Sequence, residues 1–176
     1  MIPLSTCKLR GFRFGDEASL QEHANNTAVW INLRNSFPHP FSLDDAINWI
    51  AQNNNYKKPI NLAIVLNEKV IGGIGVTLQK DIYQMNAEIG YWLGQPFWNK
   101  GIMTEAVLAM VKYAFANFRI IRIYAGVFEY NIASMRVLEK AGFHKEAIHY
   151  KAMYKEGKVF DEHLFAILNP SADKLL

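Results

Sequence analysis

The sequence predicts a mixed α/β fold in one domain that spans residues 1–176. Two observations support this prediction. Segments with the apolar alternation of strands and segments with the 3.6-residue apolar repeat of helices succeed one another along the whole chain. The 176 residues are also 51% hydrophobic, which is enough for a sizeable core, and no low-complexity tract or linker divides them.

The first part of the chain is expected to contain one strand and three helical segments. Residues 8–14 alternate polar and apolar side chains, as a half-buried strand does. A helix is predicted at 16–24 and a shorter helical piece around 30–33, before two prolines interrupt the pattern. Residues 42–45, Ser-Leu-Asp-Asp, resemble a capping box and therefore indicate the start of a third helix.

The remainder of the chain is predicted to alternate strands with two further helices. The expected elements are strands at 60–66, 69–79 and 86–93, a helix at 101–117, a strand at 119–128, a helix at 131–141 and two strands within 145–168. A tight turn at Asn67 and Glu68 joins the first two of these strands. Gly72, Gly73 and Gly75 in the second strand favour a bulge or a close approach of neighbouring backbone.

Charge and cysteine content argue against several classes of function. The 19 Lys and Arg against 16 Asp and Glu give a net charge of +3, and the basic residues are scattered. Nucleic-acid-binding proteins usually cluster them on one face. The single Cys7 excludes an internal disulfide and fits a reducing compartment. Since no signal peptide or membrane span is recognisable, we expect a cytoplasmic protein without nucleic-acid or membrane partners.

The stretch 90–106 is the most informative part of the chain. It is predicted to contain a strand end, a loop and the first turn of a helix, whose unpaired N–H groups would attract phosphate. Gly101 permits close backbone approach and Asn99 tolerates positive φ. Lys100 adds a mobile positive charge and Thr104 a hydroxyl. A diphosphate cradle is one interpretation. An ordinary strand-to-helix turn is the other, because neither a Walker A nor a dinucleotide-binding motif occurs.

Three motifs in order give the chain a family resemblance. They are Ala-Glu-Ile-Gly-Tyr-Trp-Leu at 87–93, the loop at 98–106 and the helix segment at 131–143. Together they resemble the GNAT superfamily of acyl-CoA-dependent N-acetyltransferases, and more narrowly its branch of ribosomal-protein N-terminal alanine acetyltransferases. Of the six loop positions at 98–103, Gly101 alone matches the usual family pattern strictly.

The resemblance implies a mostly antiparallel sheet that is splayed between its fourth and fifth strands after residue 88 and flanked by about four helices. It also implies acetyl-CoA as cosubstrate, held in the gap, and no metal. The cofactor-binding residues implied for the pantetheine arm are Tyr91, Trp92 and Leu93, and those implied for the diphosphate are Asn99, Lys100, Gly101, Ile102, Met103 and Thr104. Asn131 and Ser134 would face the pantetheine and thiol end.

Acetyl transfer to an amine requires a proton acceptor for the amine and a proton donor for the departing thiolate. Glu88 is the candidate base, since it lies on the strand beside the expected reaction centre; the alternative is a strand-edge glutamate in a surface ion pair. Many relatives place a tyrosine seven residues after the asparagine, but here Leu138 occupies that position. Ser134 is therefore the candidate acid, unless it only stabilises the helix turn that Asn131 caps.

Several functions remain open on the sequence alone. The first is acetylation of a protein or peptide N-terminal amine; a small amine such as a polyamine, amino acid or drug is the runner-up, and a non-catalytic CoA-binding sensor is the alternative of another class. Homodimerisation and the acyl-chain preference are undetermined. Either acceptor-pocket walls or core packing would explain the aromatic residues Trp30, Phe37, Phe41, Tyr91 and Trp92. His149 and His163 are expected to be structural hydrogen-bonding residues.

Overall fold

The computed structural model describes residues 1–54 and 57–172. Its strands are β1 Ile2–Pro3, β2 Lys8–Arg10, β3 Asn61–Leu66, β4 Lys69–Leu78, β5 Asn86–Leu93, β6 Arg122–Phe128, β7 His144–Lys155 and β8 Lys158–Leu168. Its helices are α1 Glu17–Ala24, α2 Thr27–Trp30, α3 Leu43–Asn53, α4 Ile102–Asn117 and α5 Ile132–Lys140. None of the helices in these ranges is long and apolar enough to cross a membrane.

The strands form one mixed, mostly antiparallel sheet in the order β1, β2, β3, β4, β5, β6, β8, β7. The pairs β1–β2, β2–β3, β3–β4, β6–β8 and β7–β8 are antiparallel, whereas β5–β6 is parallel. The predicted fold class is therefore confirmed. The strands predicted as fourth and fifth are β5 and β6, because the two-residue β1 carries no sequence signal.

Two compact units divide the chain by their internal contacts. The first unit comprises residues 1–75 and 91–109, and the second comprises residues 76–90 and 110–176. The chain passes from one unit to the other within β4, β5 and α4.

The core of the first unit lies between its helices and the inner face of β3 and β4. Its buried residues are Phe12, Leu20, Ala24, Phe41, Ala46, Ile50, Ala63, Val65 and Val70. Helix α3 begins with the predicted capping box: the Ser42 hydroxyl accepts the Asp45 N–H at 3.1 Å, and the Asp45 carboxylate accepts the Ser42 N–H at 2.8 Å. This reciprocal cap satisfies two donors that a helix start would leave unpaired.

The predicted turn and close approaches within the first unit are confirmed. Leu66 pairs directly with Lys69, and the two turn residues both adopt positive φ, 47° at Asn67 and 61° at Glu68. A side chain on Gly72 would stand 2.5 Å from the carbonyl oxygen of Trp92. Glycine is thus required here because the backbone of β5 lies directly against β4.

Two predicted boundaries in the first unit are wrong. The first strand ends at Arg10 rather than at residue 14. The Arg10 guanidinium donates two hydrogen bonds of 2.7 Å to the Asp16 carboxylate. That contact requires the intervening residues to form a loop. Helix α2 ends at Trp30, and Leu33 lies in a following turn in which its N–H donates to the Trp30 carbonyl.

The second unit carries the other half of the sheet with α5 against one face. Gly142, after the end of α5, lies next to the Ile167 side chain of β8. The most deeply buried side chains of this unit include Ile123, Leu138 and Phe165. Strand β6 begins at Arg122 rather than at the predicted residue 119, because its ladder with β8 starts at the Arg122–Leu168 pair.

Candidate active site

The loop between β5 and α4 lies in the first unit and is anchored at both of its ends. The Trp98 indole N–H donates to the carbonyl of Leu93 at 2.7 Å. Farther along, the Lys100 ammonium lies 5.7 Å from the centroid of the Phe97 ring, within range of a cation–π contact. These contacts fold the loop back onto the end of the strand.

The start of α4 presents a row of unused backbone donors. The first helical hydrogen bond runs from the Glu105 N–H to the Gly101 carbonyl at 3.2 Å. Within the described ranges, none of the N–H groups of residues 99–104 donates a hydrogen bond. Asn99 has φ of 60° and Gly101 has φ of 78°, and both are exposed. Two positive-φ residues separated by one residue, just before a helix, make a concavity that suits an anion.

The side chains of this segment divide between the core and solvent. Ile102 and Met103 are buried, whereas Lys100 is exposed and Thr104 is half-buried. A side chain added at Gly101 would meet no atom within 4 Å. The glycine is therefore required by its backbone angle and not by lack of space.

The backbone of β5 in the first unit alternates in direction. The Gly94 N–H donates to the Ile71 carbonyl on β4 at 2.8 Å, so the peptide groups of Trp92 also point toward β4. Those of Tyr91 and Leu93 point to the opposite edge, where Trp98 already binds the Leu93 carbonyl. The groups suited to pairing with an extended ligand are therefore the Tyr91 peptide groups and the Leu93 N–H.

Several aromatic residues singled out from the sequence come together in the first unit. Phe37 stacks on Phe41 with 5.0 Å between ring centroids and meets the edge of Trp92 at 6.1 Å. The Trp30 indole N–H donates to the Phe37 carbonyl, and its ring stacks on His39. Phe41 belongs to the core, whereas Trp30, Phe37 and Trp92 are only partly buried.

Glu88 in the second unit occupies the last rung of the parallel ladder. The β5–β6 ladder joins Asn86, Ala87 and Glu88 to Arg122, Ile123 and Tyr124. Both strands continue beyond this last pair, as the predicted parting after residue 88 requires. Glu88 is half-buried, and the side chains of its neighbours along the strand, Ala87 and Ile89, are buried.

Asn131 caps α5 as the sequence predicts. Its side-chain oxygen accepts the Ser134 N–H at 3.1 Å, and its own N–H donates to the Phe128 carbonyl at 2.9 Å. Ser134 is half-buried in the first turn of the helix. Leu138, one turn later, has no exposed surface and belongs to the core.

One face of the sheet in the second unit gathers polar groups that sequence reasoning did not connect. Glu88 and Tyr124 share this face because they are paired, and Gly126 follows two residues after Tyr124 on the same strand. The Glu162 carboxylate of β8 lies over Gly126, where an added side chain would stand 2.1 Å from its Oε1. His149 Nδ1 lies 2.7 Å from the other oxygen, Oε2. A glycine within a strand was the available signal.

An aromatic cluster borders these polar groups. Phe128 stacks on Tyr130 at 5.1 Å, and Phe160 meets both rings edge-on at 5.9 and 5.0 Å. Burial raises the pKa of the Tyr130 phenol. The Tyr130 hydroxyl therefore stays protonated throughout the neutral range.

Comparisons with known proteins identify the family to which the chain is similar. An acetyltransferase (GNAT) domain model matches residues 7–144. "Probable N-acetyltransferase YjcK" of Bacillus subtilis is 51% identical over 88 residues, which are 50% of this chain and 49% of that protein. The ribosomal protein uS5 alanine N-acetyltransferase of Escherichia coli is 33% identical over 82 residues, or 47% and 42% of the two chains. The matches thus span about half the length of these relatives.

A solved structure extends the likeness to the whole fold. RimL, a ribosomal L7/L12 α-N-protein acetyltransferase solved in complex with coenzyme A, superposes with a TM-score of 0.82 at 21% identity and covers 95% of this chain and 97% of its own. In the described residues no group of three or more His, Cys, Asp or Glu side chains could hold a metal ion. The domain match covers well over half of the chain, and the chain belongs to the GNAT acetyltransferase family.

Proposed function

We propose that this protein is an acetyl-CoA-dependent N-acetyltransferase that acetylates a primary amine, by direct attack within a ternary complex. One observation carries the proposal: β5 holds Glu88 on the last rung of its parallel ladder and leads into six consecutive unused N–H groups at 99–104. Along the chain, a candidate base is thus followed by a helix start whose unused N–H groups suit an anion. We also propose that residues 1–176 act as a single catalytic domain in a reducing compartment, the cytoplasm.

The residues present suit the binding of acetyl-CoA. The N–H groups of residues 99–104 and the positive end of α4 would bind the diphosphate, with Lys100 adding charge. The Tyr91 peptide groups and the Leu93 N–H would pair with the pantetheine arm as a neighbouring strand does. The Asn131 side-chain NH2, which no described residue accepts, is suited to an amide carbonyl of that arm.

The cosubstrate supplies a thioester, an acyl group already activated for attack by an amine. Glu88 would take the proton that the acceptor amine loses, directly or through a water. A backbone N–H within residues 89–91, where β5 parts from β6, would polarise the thioester carbonyl.

Ser134 would return a proton to the departing thiolate. Its N–H already binds the Asn131 cap, which fixes the serine at the first turn of α5. Leu138 is apolar and fully buried, so it cannot serve as the acid that a tyrosine supplies in many relatives. Ser134 is thus the hydroxyl on this helix that fits the role.

A protein or peptide N-terminal amine is the acceptor that we favour. The names of the uS5 alanine acetyltransferase and of RimL both specify ribosomal-protein acceptors, and the sequence motifs resemble that branch. A polyamine would require acidic side chains near the helical segments at 25–45. That region offers Asp44 and Asp45, and Asp45 is already used in the α3 cap. A small monoamine remains the second candidate.

The test is product analysis after incubation of the protein and acetyl-CoA with a library of peptides and small amines. Acetylation of a peptide amino terminus, read by mass spectrometry, is the expected result. Products on small amines alone would overturn the favoured acceptor. If acetyl-CoA binds but no amine is modified, the chain is instead a CoA-binding sensor.

The role of Glu88 has its own test. Glu88→Gln is expected to lower kcat about 100-fold at neutral pH, because general-base catalysis typically contributes a factor of this size. The Kd of acetyl-CoA should stay within about twofold, since the diphosphate donors lie elsewhere. Glu139→Gln on the exposed side of α5 is the matched control and should leave both quantities unchanged. Normal turnover in the Glu88→Gln variant would contradict the assignment.

A further inference from the structure

We propose that the Glu162 carboxylate binds the positively charged amino group of the acceptor, holding it over Gly126 before its proton is removed. This inference rests on the proposed acetyl transfer to an amine. It assigns a binding residue from β8, far in sequence from the motifs of β5 and α4.

The position of Glu162 relative to the parting strands is the first argument. Glu88 and Tyr124 form the last rung of the β5–β6 ladder, and Gly126 lies two residues beyond that rung on the same face. The Glu162 side chain lies over Gly126. Its carboxylate is therefore on the same face of the sheet as Glu88, in the region where β6 no longer pairs with β5. An amine that reaches Glu88 along this face therefore passes the Glu162 carboxylate.

The way the carboxylate is held is the second argument. His149 Nδ1 binds Oε2 at 2.7 Å, while Oε1 has no hydrogen-bond partner anywhere in the described part of the chain. The Glu162 side chain is 24% exposed, so Oε1 is partly removed from water and still reachable. A partly desolvated carboxylate oxygen without a partner is suited to an ammonium donor, because a charge-assisted hydrogen bond is stronger there than in water.

A purely structural ion pair would not require the glycine. Arg122 and Glu146 form such a pair on the same half of the sheet, and no glycine makes room for it. At Gly126, by contrast, even a methyl group would stand 2.1 Å from Oε1 and displace the carboxylate. The absence of a side chain thus keeps Oε1 against the strand.

The neighbouring groups favour a cation over an anion at this position. Phe128 is paired with Glu162, and Phe160 precedes it by two residues on the same face. Phe128 is buried, but the partly exposed Phe160 ring offers a π-face on which an alkylammonium group is stabilised. The cation on this face at the start of β6, Arg122, is already paired with Glu146 and lies over the Tyr124 ring. It therefore leaves the Glu162 carboxylate to a ligand.

The experiment compares three forms of one short peptide that begins with alanine. The free amine is the substrate, the N-terminally dimethylated form is a tertiary ammonium that keeps one N–H donor and cannot be acetylated, and the N-acetylated form is neutral. Kinetics give KM for the free amine, and calorimetry in the presence of coenzyme A gives Kd for the other two. The variants are Glu162→Gln, His149→Gln and, as the matched control, Glu146→Gln.

We expect Glu162→Gln to raise KM for the free amine and Kd for the dimethylated peptide about tenfold, the loss of one charged hydrogen bond. Kd for acetyl-CoA and for the acetylated peptide should change less than twofold. His149→Gln keeps the carboxylate and should weaken binding less, and Glu146→Gln should have no effect. A structural role predicts equal losses for Glu162→Gln and His149→Gln, since both break the same pair.

The inference would be overturned if Glu162→Gln bound the dimethylated peptide as tightly as wild type. Equal losses in Glu162→Gln and His149→Gln would also overturn it. Should Glu162→Gln not fold, Glu162→Asp retracts the carboxylate and should show the same selective loss of the two cationic forms. A wild-type protein that acetylates no amine would refute the proposed function. A wild-type protein that acetylates the peptide while Glu162→Gln matches it would refute this inference alone.

Discussion

Replacement of Gly101 by alanine tests the diphosphate cradle, and the structure supplies its control. Gly101 has φ of 78° with nothing within 4 Å of an added Cβ, and Gly15 has φ of 96° with equally open surroundings. Both positions are exposed and lie in the first unit. An L-residue at such angles costs about 1–2 kcal/mol, so Gly101→Ala and Gly15→Ala should destabilise the protein by similar amounts.

Binding of acetyl-CoA should separate these two variants. If alanine turns the backbone at residue 101 toward negative φ, the N–H groups of Gly101 and Ile102 no longer converge on a phosphate. Loss of one such charge-assisted hydrogen bond, at about 1.5–3 kcal/mol, corresponds to a 10- to 100-fold increase in Kd. Gly15→Ala should leave Kd unchanged. Calorimetric titration with acetyl-CoA measures this difference, and equal Kd values for the two variants would refute the cradle.

Two further predictions concern stability. Asp16→Asn should lower the free energy of unfolding by about 3–5 kcal/mol, because it leaves the Arg10 guanidinium buried without its anion; the two side chains are 3% and 8% exposed. Urea unfolding should show this loss, and Glu68→Gln at an exposed ion pair should show almost none. Hydrogen bonds from Ser42 hold the pKa of Asp45 below its usual 3.8. The ionised carboxylate therefore stabilises the fold at pH values above 3.8. This stabilisation is lost as the pH falls through the lowered pKa of the folded protein. The stability difference between wild type and Asp45→Asn should therefore be present at pH 7 and vanish in strong acid, and a difference that persists there would contradict it.

Local signals predicted the helix starts well. The Ser42 capping box and the Asn131 cap both form as expected, since each depends on side chains within three residues of the helix start. The positive-φ turn at Asn67 and Glu68 is equally local. Strand boundaries were less predictable, because contacts made outside the strand can end it. Apolar periodicity continued to residue 14, yet the Arg10–Asp16 ion pair ends β2 at Arg10.

The candidate site likewise has features that depend on short sequence spacings and features that depend on strand pairing. The family, the loop at 98–106 and Glu88 as candidate base could be predicted from the sequence, because these depend on residue types at fixed short spacings. Tertiary structure alone decided which peptide groups of β5 point away from β4, since direction depends on pairing with another strand. It also brought Glu162 onto Gly126, thirty-six residues earlier in the chain, through the register of β6 with β8. No local pattern encodes that contact, because strand register is set by the whole sheet.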